Sequence, residues 1–192
     1  MLVIATGNMG KLKEFRRILP SFSFTTMKEA GFSGDIEENG KTFEENALIK
    51  ARAVCAATGK AAIADDSGLT VDALGGAPGI YSARYAGEGA SDRDLYQKLL
   101  REMESVPEGE RTAAFVSVIA YVTPEGEEKT FRGECSGVIA HAPHGENGFG
   151  YDPVFFVPEI GKTFGEMDAE EKNAISHRGR ALALFKAYME RK

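Results

Sequence analysis

The stretch Ala61-Ala62-Ile63-Ala64-Asp65-Asp66-Ser67-Gly68 decides how this chain is read. Its small and apolar residues predict a buried strand. Two adjacent carboxylates stand at the expected strand end, and Ser67-Gly68 predicts a turn. Carboxylates so placed suit a hydrated Mg²⁺, which takes one or two protein oxygens and fills its shell with water and phosphate. They also suit a base that orients an attacking water. The same four residues, Asp-Asp-Ser-Gly, also make an ordinary solvated turn. The choice rests on what else the chain carries.

Upstream, Leu2 to Ala5 predicts a short buried strand and Thr6 to Gly10 a loop. Lys11 to Leu19 has helical spacing (Leu12, Phe15, Ile18, Leu19), stopped by Pro20. Ser21 to Thr26 fits a second strand. Ser33 to Lys41 is an acidic loop. Thr42 with Glu45 predicts a capping box for a helix that runs to Thr58 and closes at Gly59. Downstream, Leu69 to Ala73 reads as the arm of a hairpin, and Gly75 to Gly79 as a loop. Ser91 with Asp94 caps a helix to about Ser105. Thr112 to Thr123 and Lys129 to Ile139 predict two strands joined by a turn at Pro124 to Glu127. A Gly-rich loop from Gly145 to Asp152 precedes the apolar Val154 to Val157, and the chain is helical from about Ala169. Helices and strands mixed with a clear hairpin predict an α/β or α+β fold with a mixed sheet.

The bulk composition narrows the function. The chain has 192 residues, enough for one domain or two small lobes with a real core. Its net charge of −6 argues against a general nucleic-acid binder. Cys55 and Cys135 make neither a disulfide framework nor a metal-ligand spacing, and buried thiols of a reducing compartment are expected. No apolar run approaches the ~20 residues of a membrane span, and the opening Leu2-Val3-Ile4-Ala5 is too short for a signal h-region. A cytoplasmic protein is expected.

Five further groups bear on chemistry. Thr6-Gly7-Asn8-Met9-Gly10-Lys11 joins a strand to a helix, where backbone N–H groups attract anions and Lys11 adds a charge. It departs from a P-loop at Ala5 and Leu12. Glu37-Glu38 offers a second carboxylate for a metal near Asp66. Lys50, on the capped helix, reads either as a surface lysine or as a phosphate contact. In Gly145-Glu146-Asn147-Gly148-Phe149-Gly150-Tyr151-Asp152-Pro153, three glycines allow close backbone approach and Phe149 offers a face on which a base stacks. Asp152, before Pro153, is expected to be extended. Lys172 and Ser176 share a helix face, and His177-Arg178 supply donors for a base carbonyl. Each of these also has an ordinary structural reading. Together they make the parts of a nucleotide site: phosphate loop, lysines, paired acids, stacking loop and polar base reader. No HExxH-type or Gly-x-Ser-x-Gly pattern is present.

Several of these motifs, with the run Leu74-Gly75-Gly76-Ala77-Pro78-Gly79-Ile80-Tyr81-Ser82-Ala83-Arg84, resemble the inosine/xanthosine triphosphate pyrophosphatase family, also called Ham1-like. The others are Thr6-Gly7-Asn8 with Lys11, Asp65 to Leu69, Phe149 to Pro153 and Ser176 to Gly179. The likeness spans essentially the whole chain, in order. It implies an α/β fold with a long mixed twisted sheet flanked by helices, forming one domain (1–192) of two lobes with a central cleft. It implies Mg²⁺-dependent hydrolysis of ITP, dITP and XTP to the monophosphate and pyrophosphate by a homodimer. Carried onto this chain, it makes Asp66 the base or water-orienter and a metal ligand, with Glu38 and Glu37 at the metal and Asp65 in support. Lys11, Lys50, Ser67 and the loop Thr6, Gly7, Asn8, Met9, Gly10 would take the phosphates. Phe149, Gly150, Tyr151, Asp152, Lys172, His177 and Arg178 would bind the substrate, with Phe149, His177 and Arg178 at the base.

Overall fold

The computed structural model describes residues 1–192. Seven strands form one mixed sheet: β1 (Leu2–Ile4), β2 (Phe24–Thr26), β3 (Ala62–Val71), β4 (Thr112–Val122), β5 (Glu128–Ile139), β6 (Phe155–Val157) and β7 (Lys162–Thr163). Their order is β2-β1-β3-β4-β5-β6-β7. β1 lies parallel to both neighbours, with Leu2 opposite Phe24 and Val3 opposite Ala62. The far edge is antiparallel, with Val138 opposite Phe156 and Phe156 opposite Thr163. Five α-helices accompany the sheet: α1 (Met9–Ile18), α2 (Phe43–Thr58), α3 (Asp92–Glu102), α4 (Ala169–Ile175) and α5 (His177–Met189).

The chain divides into two compact units, each with its own core. The first holds residues 1–66, 117–133 and 178–192. Its core joins Ile4 and Ile63 of the sheet to Leu12 and Phe15 of α1 and Leu182 and Phe185 of α5. The second holds residues 67–116 and 134–177. Its core packs Leu69, Leu99, Phe115, Phe155 and Phe164.

Local chemistry explains most helix ends. Asn8 caps α1, its side chain accepting from the Lys11 N–H, so the helix starts at Met9 rather than at Lys11. Ser91 and Asp94 form the full capping box of α3, which ends at Glu102, short of Ser105. At α2 the expected box is only half made. Thr42 accepts from the Glu45 N–H, but the Glu45 carboxylate reaches the Lys41 N–H instead of closing on Thr42. Gly59 ends α2 in the left-handed region that suits glycine. The C-terminal helix is broken at Ser176, which is extended.

The largest departure from the sequence reading is the deciding stretch itself. The strand does not end at Asp65, and Ser67-Gly68 is not a turn. β3 runs unbroken from Ala62 to Val71, and no separate arm begins at Leu69. Side chains far away in sequence partner both oxygens of Asp65 and one oxygen of Asp66, so the strand can continue through the two acids.

Candidate active site

Successive residues of a strand point to opposite faces. Asp65 therefore shares the side of Ile63, toward α1 and α5, and Asp66 takes the other, toward α2. The two adjacent acids have different partners and different acidities.

Asp65 is almost fully buried. Its Oδ1 accepts from the Ser117 hydroxyl at 2.5 Å. Its Oδ2 pairs with Lys11 Nζ at 2.6 Å and with the Arg178 guanidinium at 3.3 Å. A second Arg178 nitrogen pairs with Glu14. Burial pushes the Asp65 carboxyl up, but Arg178, Lys11 and the Ser117 hydrogen bond outweigh it and hold it well below the usual range. Burial lowers Lys11, and Asp65 offsets only part of that. Asp65 favours the charged form of Lys11.

Asp66 is also buried. Its Oδ1 accepts from Lys50 Nζ at 3.0 Å. Its Oδ2 is buried without a hydrogen-bond partner. A buried carboxylate oxygen left unpaired is costly, so this atom points to a ligand. Burial pushes Asp66 up to about 6, against the pull of Lys50 and Lys11. Lys50 also donates to the Asp65 carbonyl at 2.9 Å and pairs with Glu38 Oε2 at 3.0 Å. Burial lowers it, but Asp66 and Glu38 hold it above its ordinary value.

One ammonium thus gathers Glu38 and Asp66 to one point. Glu37 is exposed. No group of three or more His, Cys, Asp or Glu is arranged around a metal position. Two hard oxygen donors and an unpartnered Asp66 oxygen nonetheless fit a cation that draws its other ligands from phosphate and water. The loop from Thr6 is ordered by its own bonds: Asn8 N–H to Thr6 Oγ1 and Lys11 N–H to Asn8 Oδ1, both 3.1 Å. It brings Met9 and Gly10 into the first turn of α1, with Lys11 behind.

The second unit carries a separate cluster. Asp152 Oδ2 accepts from the Phe149 N–H at 3.0 Å and pairs with the buried Lys172 Nζ at 2.6 Å. That ammonium lies 4.8 Å from the Phe149 ring centre and 5.5 Å from that of Phe164. His177 stacks on Phe115 at 4.6 Å. Tyr151 donates to the Ser82 carbonyl at 2.7 Å, which anchors the loop beyond Gly150. Gly148 has φ +74, and a Cβ there would meet Asp152 Oδ2 at 1.9 Å. Only glycine lets the loop fold over that carboxylate. Asp152 is not extended as expected; it opens a 3-10 turn, Asp152–Val154, with Pro153 inside it.

The predicted residues fall into two sets. Lys11, Lys50, Asp65, Asp66, Glu38 and Arg178 converge in the first unit. Phe149, Asp152, Lys172 and His177 belong to the second, as does Ser67, directly after Asp66 in the chain. Arg178, expected at the base, has guanidinium nitrogens on Glu14 and Asp65. Sequence reasoning missed Glu14 and Ser117. Ser117 had a signal: it is the one small polar residue within the otherwise apolar and aromatic run Ala113 to Val122.

Residues 2–188 match the model of the Ham1 family. A protein of Geobacter sulfurreducens named dITP/XTP pyrophosphatase is 56% identical over 190 residues, which cover 98% of this chain and 96% of that relative. The solved structure of the Staphylococcus aureus Ham1 protein superposes with a TM-score of 0.89 at 48% identity, covering 98% of this chain and 97% of that one. That of a Coxiella burnetii HAM1 protein gives 0.91 at 44% identity, with 100% and 98% covered.

Proposed function

The chain belongs to the Ham1 family, and from that premise we propose that it hydrolyses dITP, ITP and XTP to the nucleoside monophosphate and pyrophosphate. Water attacks the α-phosphorus and pyrophosphate leaves. The observation that carries this reading is the unpartnered Asp66 Oδ2 beside Lys50.

Each group has a role set by its surroundings. Asp66 is a carboxylate at neutral pH, and its Oδ2 takes a hydrogen bond from the attacking water and then its proton. Asp66 and Glu38, with Glu37 next in the chain, would hold Mg²⁺, which when bound neutralises phosphate oxygens. Lys50 fixes the Asp66 rotamer through Oδ1 and faces the phosphates with its remaining charge. Lys11 and the N–H groups opening α1 neutralise the leaving pyrophosphate, and Ser67 contacts a phosphate oxygen. Asp65 favours the protonated form of Lys11, and Arg178 with Glu14 holds Asp65 in place. The purine is read by the glycine-rich loop and the residues bonded to it. Phe149 stacks on the ring, with Gly150 and Tyr151 shaping the loop.

Selectivity follows from donors. Hypoxanthine and xanthine carry an oxygen at C6, and adenine an amine. Lys172 has donors only, so a C6 carbonyl is accepted and an amine leaves donor facing donor. An unpaired buried polar group costs ~1–3 kcal/mol, roughly tenfold to a hundredfold in preference. His177 adds a second polar contact. We further propose a homodimer, acting in the cytoplasm on free nucleotides. The acidic net charge of −6 supports free nucleotides over nucleic acid as the substrate. No helix is long and apolar enough to cross a membrane.

The test is pyrophosphate release with Mg²⁺ from dITP, ITP, XTP, dGTP, dATP and dUTP. Turnover concentrated in the first three is expected; dUTP as the preferred substrate overturns the base assignment. In the same panel, Lys172→Met is expected to narrow the kcat/KM ratio of dITP to dATP by about tenfold or more. A ratio unaffected by fraction folded is the right readout, because Lys172 also neutralises Asp152. An unchanged ratio removes Lys172 from base reading.

A further inference from the structure

Glu38 stands in a loop without regular structure, yet it meets Lys50 at a defined 3.0 Å. Something must set where that loop runs. Two residues beyond Glu38, the Gly40 N–H donates to Asn46 Oδ1 at 2.8 Å. Asn46 is 2% exposed, on α2 between the apolar, buried Phe43 and Ala47. A buried amide among such neighbours is costly unless it is bonded. The Gly40 N–H is a partner that lies outside the helix. Asn46 also stands four residues before Lys50, so both share one face of α2.

The same short segment is therefore fastened twice to one helix face. Lys50 takes the Glu38 carboxylate, and Asn46 takes the Gly40 backbone. The Lys41 N–H, donating to Glu45 Oε2 at 2.6 Å, adds a third fastening one residue on. Gly40 is fitted to this contact. A Cβ there would meet Asn46 Oδ1 at 2.6 Å and Glu45 Cβ at 2.8 Å. Gly40 is not among the residues with left-handed φ. Its requirement is close approach, not backbone conformation.

From this geometry we infer that Asn46 is a positioning residue for Glu38 and thereby sets the protein's affinity for its divalent cation. The inference rests on the assignment of Glu38 and Asp66 to that cation. Asn46 touches neither metal nor substrate. It acts by fixing the loop, as residues that orient a metal ligand do.

The experiment compares wild type with Asn46→Ala, Gly40→Ala and the double variant. Mn²⁺ binding is measured by calorimetry in the presence of a hydrolysis-resistant α,β-methylene analogue of dITP. Half-saturating Mg²⁺ and kcat are measured in pyrophosphate release. Each single variant is expected to weaken Mn²⁺ binding by about tenfold and to raise half-saturating Mg²⁺ alike, with kcat at saturating Mg²⁺ within about threefold of wild type. Because both changes break one contact, the double variant is expected to bind no more weakly than the worse single one. Wild-type metal affinity in either folded single variant overturns the inference, as does additive loss in the double. If Asn46→Ala does not fold, Gly40→Ala decides alone. Wild type that neither binds Mn²⁺ nor needs Mg²⁺ refutes the metal assignment itself, a distinct outcome.

Discussion

Asp66→Asn is expected to lower kcat for dITP by about 10³-fold while leaving the fold intact. The amide keeps an oxygen for Lys50 but loses the carboxylate that takes the proton from water, and general-base catalysis is worth ~10²–10⁴-fold. The pH profile carries a second signature. Asp66 sits at about 6, above its ordinary 3.8. Its active form is the carboxylate, so activity is present above that value and lost as pH falls through it. Wild-type kcat/KM is expected to drop about tenfold per unit below pH ~6, and the residual activity of Asp66→Asn to lack that limb. Turnover near wild type in the variant removes Asp66 from the role of base.

Asp65→Asn is expected to strike stability. Its carboxylate lies between Lys11 and Arg178 in the interior. The amide preserves an acceptor for Ser117 but removes the counter-charge that Asp65 gives Lys11 and Arg178. Removing one partner of a buried ion pair costs about 3–5 kcal/mol. For a chain of this size each kcal/mol is worth roughly 2–4 °C, so the melting temperature is expected to fall by about 6–20 °C in calorimetry. The sign of the pH dependence follows from the depressed Asp65 carboxyl. Its stabilisation is in place above the ordinary carboxylate value and is lost as pH falls through its lower folded value. Asp65→Asn should lack that acid-sensitive component. A melting temperature within about 2 °C of wild type would show that the pair contributes little.

The two acids show how far the sequence could be read. Their importance was legible, because an apolar run ending in adjacent carboxylates is rare company for a lysine-bearing loop at Thr6 to Lys11. Their backbone was not. Asp-Asp-Ser-Gly has the local chemistry of a turn, and β3 runs through it because of partners the local sequence does not show. Arg178 is 113 residues from Asp65, and Ser117 is 52. Helix ends were legible wherever the signal was local, as at Ser91 with Asp94 and at Gly59. The half-made box at Thr42 was not, since Glu45 chooses between two adjacent N–H groups by loop path alone. Glu37 and Glu38 were indistinguishable as letters. Lys50 separates them, because only Glu38 reaches its ammonium. Arg178 read as a base donor by its place beside His177, yet the strand-and-helix geometry turns it toward Glu14 and Asp65.

The claim at the centre of this account is that water, oriented at Asp66, attacks the α-phosphorus of dITP. Hydrolysis in ¹⁸O-labelled water, followed by mass spectrometry of both products, tests it most directly. The account predicts that the label enters dIMP and that pyrophosphate is released unlabelled. Label in pyrophosphate, or release of inorganic phosphate with dIDP, would contradict it.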